Sequence, residues 1–219
     1  MNILYEDDDL LFLDKPPNIV VQRGYDAVEP VLFEEVQNYV EGKAERAFLM
    51  QRLDRGTSGV IFFTKRSEIN AKVTRQFERK EIRKVYLALV EGRLDVQQTI
   101  DAPLARIGAI KFGVRSHGKR AITTLEPIEA SDRTSLLRIV LHTGRTHQIR
   151  AHLAGIGHPL VGDWLYGERN AVRPMLHAVE IAMRHPQTSE MLVVTAELPD
   201  DFRDEMTHRR DALDSKQVT

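Results

Sequence analysis

Gln51-Arg52-Leu53-Asp54-Arg55-Gly56-Thr57-Ser58-Gly59 runs straight into the apolar Val60-Ile61-Phe62-Phe63. One carboxylate stands between two guanidinium-bearing residues on a turn of small residues, and the turn opens a buried strand. A carboxylate placed where glycines let the backbone approach a ligand closely is a candidate nucleophile or base. Two readings are therefore open. In one, Asp54 is catalytic, with Arg52, Arg55 and Thr57 as substrate contacts. In the other, the stretch is a surface ion-pair turn leading into a strand, and spacing alone favours this, because structural ion pairs outnumber catalytic ones.

A second stretch shifts that balance. Leu141-His142-Thr143-Gly144-Arg145-Thr146-His147-Gln148-Ile149-Arg150-Ala151-His152-Leu153 is followed by Gly157-His158-Pro159-Leu160-Val161-Gly162-Asp163 and by Tyr166-Gly167. With Lys84-Val85-Tyr86, these stretches resemble the RluA family of pseudouridine synthases. That family carries an Arg-Leu-Asp-x-x-Thr-Ser-Gly loop, a Lys-x-Tyr strand, and a Gly-Arg-x-His-Gln-Ile-Arg-x-His-Leu segment ending in Gly-Asp and Tyr-Gly. All occur here in that order, over nearly the whole chain.

The resemblance implies an α+β fold: a single pseudouridine synthase-type domain over 1–219, with a mixed, largely antiparallel sheet flanked by helices and a central catalytic cleft. It implies that Asp54 is the catalytic aspartate, that Tyr86 packs on the base and is a candidate to move a proton, and that Arg150 pairs with Asp54. Arg52 would keep the uridine out of its stack. Arg145, His147 and Gln148, with the amides at the helix start after Thr146, are the phosphate and substrate contacts. Two residues depart from the family's usual pattern. Asn18 stands where glycine is usual, a mild change because Asn tolerates left-handed geometry. Gln51 stands where histidine commonly precedes Arg-Leu-Asp, and the position adjoins the catalytic loop.

The 219 residues suffice for one large domain, and 42% hydrophobic with 29% charged is ordinary globular composition. The absence of cysteine excludes disulfides and thiolate metal sites. Met1 to Asp9 has no apolar core and reads as no signal peptide, and no apolar run approaches membrane-spanning length. The expectation is a cytoplasmic protein with no membrane association. No S4-type RNA-binding domain is read ahead of the first strand, and no obligate protein partner is evident.

A net charge of -1 looks wrong for an RNA partner until the chain is divided. Residues 1–50 carry -7, residues 51–162 carry +10 and residues 163–219 carry -4. Every motif lies in the basic part, which suits a polyanion held through its phosphates. An evenly solvated surface is the competing reading.

Along the chain, Leu10–Leu13 and Ile19–Val21 read as two strands around a proline turn, with the second ending before Gly24. Leu32, Val36, Tyr39 and Val40 recur at helical spacing, predicting a helix over 30–41 that ends near Gly42. Ser67 is the expected N-cap of a helix with Ile69, Val73 and Phe77 inward and Lys72, Arg75 and Arg79 solvated. Val85–Val90 is a strand on which Tyr86 shares a face with Ala88 and Val90; that spacing suits a stacking platform and equally an ordinary core tyrosine. Residues 103–120 read as a mobile basic loop, with Lys119 and Arg120 contacting RNA. Leu136–Leu141 should be a buried strand, with Thr146 capping a short helix closed by Gly155. Met191–Val194 is a further strand, a last helix follows Pro199-Asp200, and the chain frays from about residue 211.

Other chemistries fit less well. His147 and His152 are five apart, about 140° around a helix, and do not form the same-face pair a zinc site needs. No metal or organic cofactor is expected. Ser58 lacks the Gly-x-Ser-x-Gly elbow of a hydrolase, and neither Walker nor dinucleotide glycine spacing occurs. A glycosidase would need two opposed carboxylates where the motifs supply only Asp54. Site-specific conversion of uridine to pseudouridine in a structured RNA, a ribosomal or transfer RNA stem-loop, needs only one. The alternative is a non-catalytic RNA-binding protein on the same fold.

Overall fold

The computed structural model describes residues 1–22, 31–42 and 46–214, except the side chains of 211–214. In chain order the elements are β1 (Asn2–Glu6), β2 (Leu10–Lys15), α1 (Leu32–Glu41), β3 (Phe48–Leu49), β4 (Ser58–Thr64), α2 (Ser67–Glu78), β5 (Arg83–Glu91) and β6 (Gln98–Asp101). There follow β7 (Leu104–Arg106), β8 (Phe112–Val114), β9 (Ile122–Ala130), β10 (Thr134–Leu141), α3 (Gln148–Gly155), β11 (Leu176–Arg184), β12 (Met191–Thr195) and α4 (Asp200–Asp214). None of the described helices is long and apolar enough to cross a membrane.

The architecture is α+β, as expected, and it is made of two compact units. One comprises Met1–Lys84 and Ala178–Glu197, the other Val85–His177 and Leu198–Thr219. No linker marks them in the sequence because the first two crossings fall inside β5 and β11.

In the first unit β2 pairs antiparallel with both β1 and β4, and β12 pairs antiparallel with β11. Every residue of β4 is buried, which accounts for its lack of apolar alternation. Phe12 on β2 stacks on its register partner Phe62 at 4.9 Å between centroids, and Phe62 stacks in turn on Phe77 of α2 at 6.1 Å. Such a pair adds roughly 0.5–1.5 kcal/mol beyond the area it buries. α1 forms as expected, with Leu32, Val36 and Val40 buried and Gly42 at its C-cap. Ser67 is the first residue of α2, and Arg66 occupies the cap position with no side-chain cap bond. Ile19–Val21 does not become a strand; Val20 makes only an isolated parallel bridge to Val31. The expected boundary at Gly24 lies outside the described residues.

In the second unit β10 pairs antiparallel with β5 and β9, and β9 with β6. α4 is tied in by the buried Arg173, whose guanidinium is bidentate with Asp201 at 2.6 and 2.8 Å. That hydrogen bond holds the Asp201 carboxyl below its usual range, against the opposing effect of burial. α4 stays helical to Asp214, although fraying is expected from about 211; the remainder of that expectation, 215–219, lies outside the described residues. The expected loop at 103–120 is instead built around the hairpin of β7 and β8. Its base is locked where Leu104 and Lys119 exchange both backbone hydrogen bonds, at 2.8 and 2.9 Å. A Cβ on Gly118 would lie 2.5 Å from the Leu104 backbone, so a residue that reads as loop composition is there for close packing.

Candidate active site

Backbone contacts hold the turn that carries Asp54. The Thr57 amide donates to Asp54 O at 3.0 Å. Lys15, fully buried at the end of β2, sends its ammonium to Pro16 O at 2.8 Å and to Arg55 O at 3.1 Å. Arg55 Nε donates to Asn18 O at 3.3 Å. Asn18 has φ 64°, the left-handed geometry for which asparagine is an acceptable substitute for glycine. At the end of the turn Gly59 has φ 105°, and a Cβ there would lie 2.2 Å from Ala178 O, so only glycine fits.

On this frame Asp54 is half-buried, Arg52 and Arg55 are exposed, and Thr57 and Ser58 are buried. Thr57, expected to touch substrate, closes the turn with its amide and points its side chain inward. Arg52 has no hydrogen bond or ion pair among the described residues. The Arg52 guanidinium is therefore available to an incoming group.

The second unit holds Tyr86 and the 141–153 residues. Tyr86 lies on β5 opposite Ile139 of β10 and is only 6% exposed. Arg150, 7% exposed on α3, donates from Nε to Asp163 Oδ2 at 2.7 Å and from Nη2 to Oδ1 at 2.8 Å. Asp163 is completely buried and also accepts the Leu165 amide on Oδ1 at 3.2 Å. α3 starts differently from expectation. Its N-cap is His147 in left-handed geometry, φ 54°, and Thr146 does not cap it.

Gln148 does the organising at that helix start. Its Oε1 accepts from the Thr143 hydroxyl at 2.7 Å and the Arg145 amide at 3.0 Å; its Nε2 donates to Ile122 O at 3.0 Å and Thr123 Oγ1 at 2.9 Å. All four bonds a carboxamide makes are spent inside the protein, so Gln148 positions the loop and does not contact substrate. The Arg145 amide, expected to meet phosphate, is occupied by the same side chain. The Arg145 guanidinium bonds to Arg120 O at 3.0 Å, which gathers Arg145, Lys119 and Arg120 at the hairpin base. Arg120 also pairs with Asp101 at 2.8 Å.

The three histidines of the 141–153 stretch have separate tasks. His142 bonds to Thr124 Oγ1 and His147 Nδ1 to the Tyr166 hydroxyl, while His152 spans Thr123 Oγ1 and Ala102 O, both at 2.9 Å. Burial pushes the His152 pKa down, and the bond to Ala102 opposes this only in part.

Residues 9–155 match the pattern of the family described as RNA pseudouridylate synthase. The chain belongs to that family. It is 36% identical over 217 residues to a Nitrosomonas europaea protein named ribosomal large subunit pseudouridine synthase D, covering 92% of this chain and 63% of that protein. A Haemophilus influenzae protein of the same name is 35% identical, with 92% of this chain and 68% of that protein covered. In fold it is similar to the solved human RNA pseudouridylate synthase domain containing 4, with a TM-score of 0.76 at 22% identity, covering 95% of this chain and 93% of the other.

For this pseudouridylate synthase-family chain, sequence reasoning missed Asp163 and Tyr166. Tyr166 OH accepts the Phe112 amide at 2.8 Å, and its ring has Arg150 Cζ and Lys111 Nζ each 5.2 Å from its centroid. Both residues lay in quoted motifs, Gly162-Asp163 and Tyr166-Gly167, whose glycines carry the clue. A Cβ on Gly162, φ 75°, would lie 2.1 Å from Arg173 O, and one on Gly167 2.8 Å from Pro159. Glycines packed that tightly mark a segment whose neighbouring side chains are placed for a purpose.

Proposed function

We propose that this chain converts uridine to pseudouridine at specific sites in structured RNA, with Asp54 as the catalytic carboxylate. The C1′–N1 bond breaks, the uracil turns in place, and a C1′–C5 bond forms. The proton on C5 is lost as N1 gains one, so the reaction is an isomerisation with no redox partner or energy source. Asp54 acts as nucleophile or base; Tyr86 packs on the detached base; Arg150 is the cation assigned to Asp54 during the reaction. Exclusion of water keeps the open sugar from being trapped.

What carries this reading is Asp54 itself. It is a partly exposed carboxylate on a turn pinned by Lys15, Thr57 and Gly59, in a chain matching the family over residues 9–155. The uridine must leave its stack for this chemistry, at a cost of a few kcal/mol that phosphate contacts offset. The exposed Arg52, Arg145 and Lys119 support such contacts. Names of relatives point to the large ribosomal subunit, so its RNA is the first substrate to test and transfer RNA the second.

Unmodified transcripts of both RNAs, incubated with the protein and mapped for pseudouridine, test the proposal. New pseudouridine at one or a few positions is expected, and none with Asp54→Asn. RNA binding with no pseudouridine in either RNA would favour the non-catalytic alternative.

A further inference from the structure

A recess of about 750 Å³ opens in the Asp54-bearing unit, and its wall includes Gln22, Phe33, Arg46, Phe48, Gln51 and Arg52. Its size falls within the range of about 300–1,000 Å³ common for small-ligand sites. Among the described residues the lining holds two arginines and no carboxylate, although residues 1–50 carry a net -7. Neither arginine has an ion pair among the described residues. The charge of the described lining is thus opposite to that of the sequence around it, which suits a phosphate-bearing ligand.

The walls are flat and the rim is polar. The Arg46 guanidinium lies 5.6 Å from the centroid of Phe48, and Phe33 stacks on Phe63 at 6.2 Å, so each ring is already braced on one side. Unstacked bases are held on such aromatic and guanidinium planes. Gln51 Nε2 donates to Val60 O at 3.3 Å, which leaves its Oε1 as an acceptor, and the Thr64 hydroxyl bonds to Asn70 Oδ1, which leaves the Asn70 NH2 as a donor. Gln37, by contrast, has both ends on the Ala47 backbone and only supports the wall. A donor and an acceptor beside a stacking surface are what the edge of a nucleobase requires.

We propose that this recess is a specificity subsite that takes one unstacked nucleobase of the substrate RNA close to the target uridine. The link to the reaction is Arg52, which lines the recess and stands two residues before Asp54. Gln51, the residue that departs from the family's usual histidine, is one of the groups that reads the base. The proposal rests on the assignment of RNA pseudouridylation above.

The test uses the shortest stem-loop that contains the mapped uridine, with each neighbouring nucleotide changed in turn. The wild-type protein should discriminate at one neighbouring position by about 10-fold or more in kcat/KM, the scale of leaving one base-reading donor or acceptor unpaired. Arg46→Ala and Gln22→Ala, both at exposed positions and so of little consequence for folding, should flatten that preference, and Gln51→His should change the preferred base. Asp54→Asn should keep the preference in Kd while making no pseudouridine. An unaltered preference in Arg46→Ala and Gln22→Ala, or no dependence on any neighbouring base, overturns the subsite while the reaction stands. Absence of pseudouridine from the wild-type protein overturns the reaction instead.

Discussion

The turn carrying Asp54 and the segment carrying Arg150 hold their charged groups in opposite ways. Around Asp54 the frame is backbone: a buried lysine on two carbonyls, an amide on Asp54 O and a glycine against Ala178, while Arg52 and Arg55 are exposed and Asp54 is half-buried. Around Arg150 the frame is side chains: a bidentate pair with the fully buried Asp163, and Gln148 with all four bonds made. Asp54 is thus held through its main chain with its side chain only half-buried, whereas Arg150 is held through its side chain and shielded from solvent.

The largest effect should come from Asp54→Asn, which keeps shape and removes the ionised group. It is expected to abolish pseudouridine formation with an unchanged melting temperature; turnover near wild type would break the comparison at its accessible end. Asp163→Ala comes next, because it strands a buried guanidinium at a cost of about 3 to 5 kcal/mol. Urea unfolding measures it, and a loss below about 1 kcal/mol would mean that the Arg150 pair is not the buried frame described.

A third expectation concerns Lys84, whose amine lies 5.7 Å from the Phe77 ring centroid and is pulled by burial from the ordinary 10.5 down to about 8. Between those values the unfolded chain binds the proton more tightly, so stability falls as pH drops from 10.5 to 8 and stays at the lower level below 8. Lys84→Met should remove that slope and raise stability at pH 7 by about 3 kcal/mol. Urea titrations from pH 7 to 10.5 decide it, and a parallel pH profile in both proteins would show that the lysine is not neutralised by burial. The smallest effect is expected at the hairpin base. Lys119→Ala should weaken RNA binding and lower the slope of log affinity against log salt by about one. Arg120→Ala should do less, because Asp101 already engages that side chain. Equal effects would mean that the Asp101 pair opens when RNA binds.

Much of the molecule was legible in the sequence because its causes are local. The buried β4 follows from an unbroken apolar run, α1 from a four-residue apolar spacing, and the left-handed Asn18 from what replaces glycine. The motifs named the family for the same reason, since each keeps its spacing in one continuous stretch. What escaped depends on which distant groups share a bond. Gln148 and Arg145 read alike as substrate contacts, and only the packing of β9 against the start of α3 shows that one is saturated and the other exposed. The partner of Arg150 lies thirteen residues on, at no fixed helical or strand spacing, and the 103–120 hairpin is held by the Leu104–Lys119 pairing in place of apolar alternation. Sequence alone determined the family, elements such as β4 and α1, and the residue types brought to the site; the tertiary structure decided which of those polar groups are spent on the protein and which remain for a ligand, because a hydrogen bond is settled by distance in space and not by position along the chain.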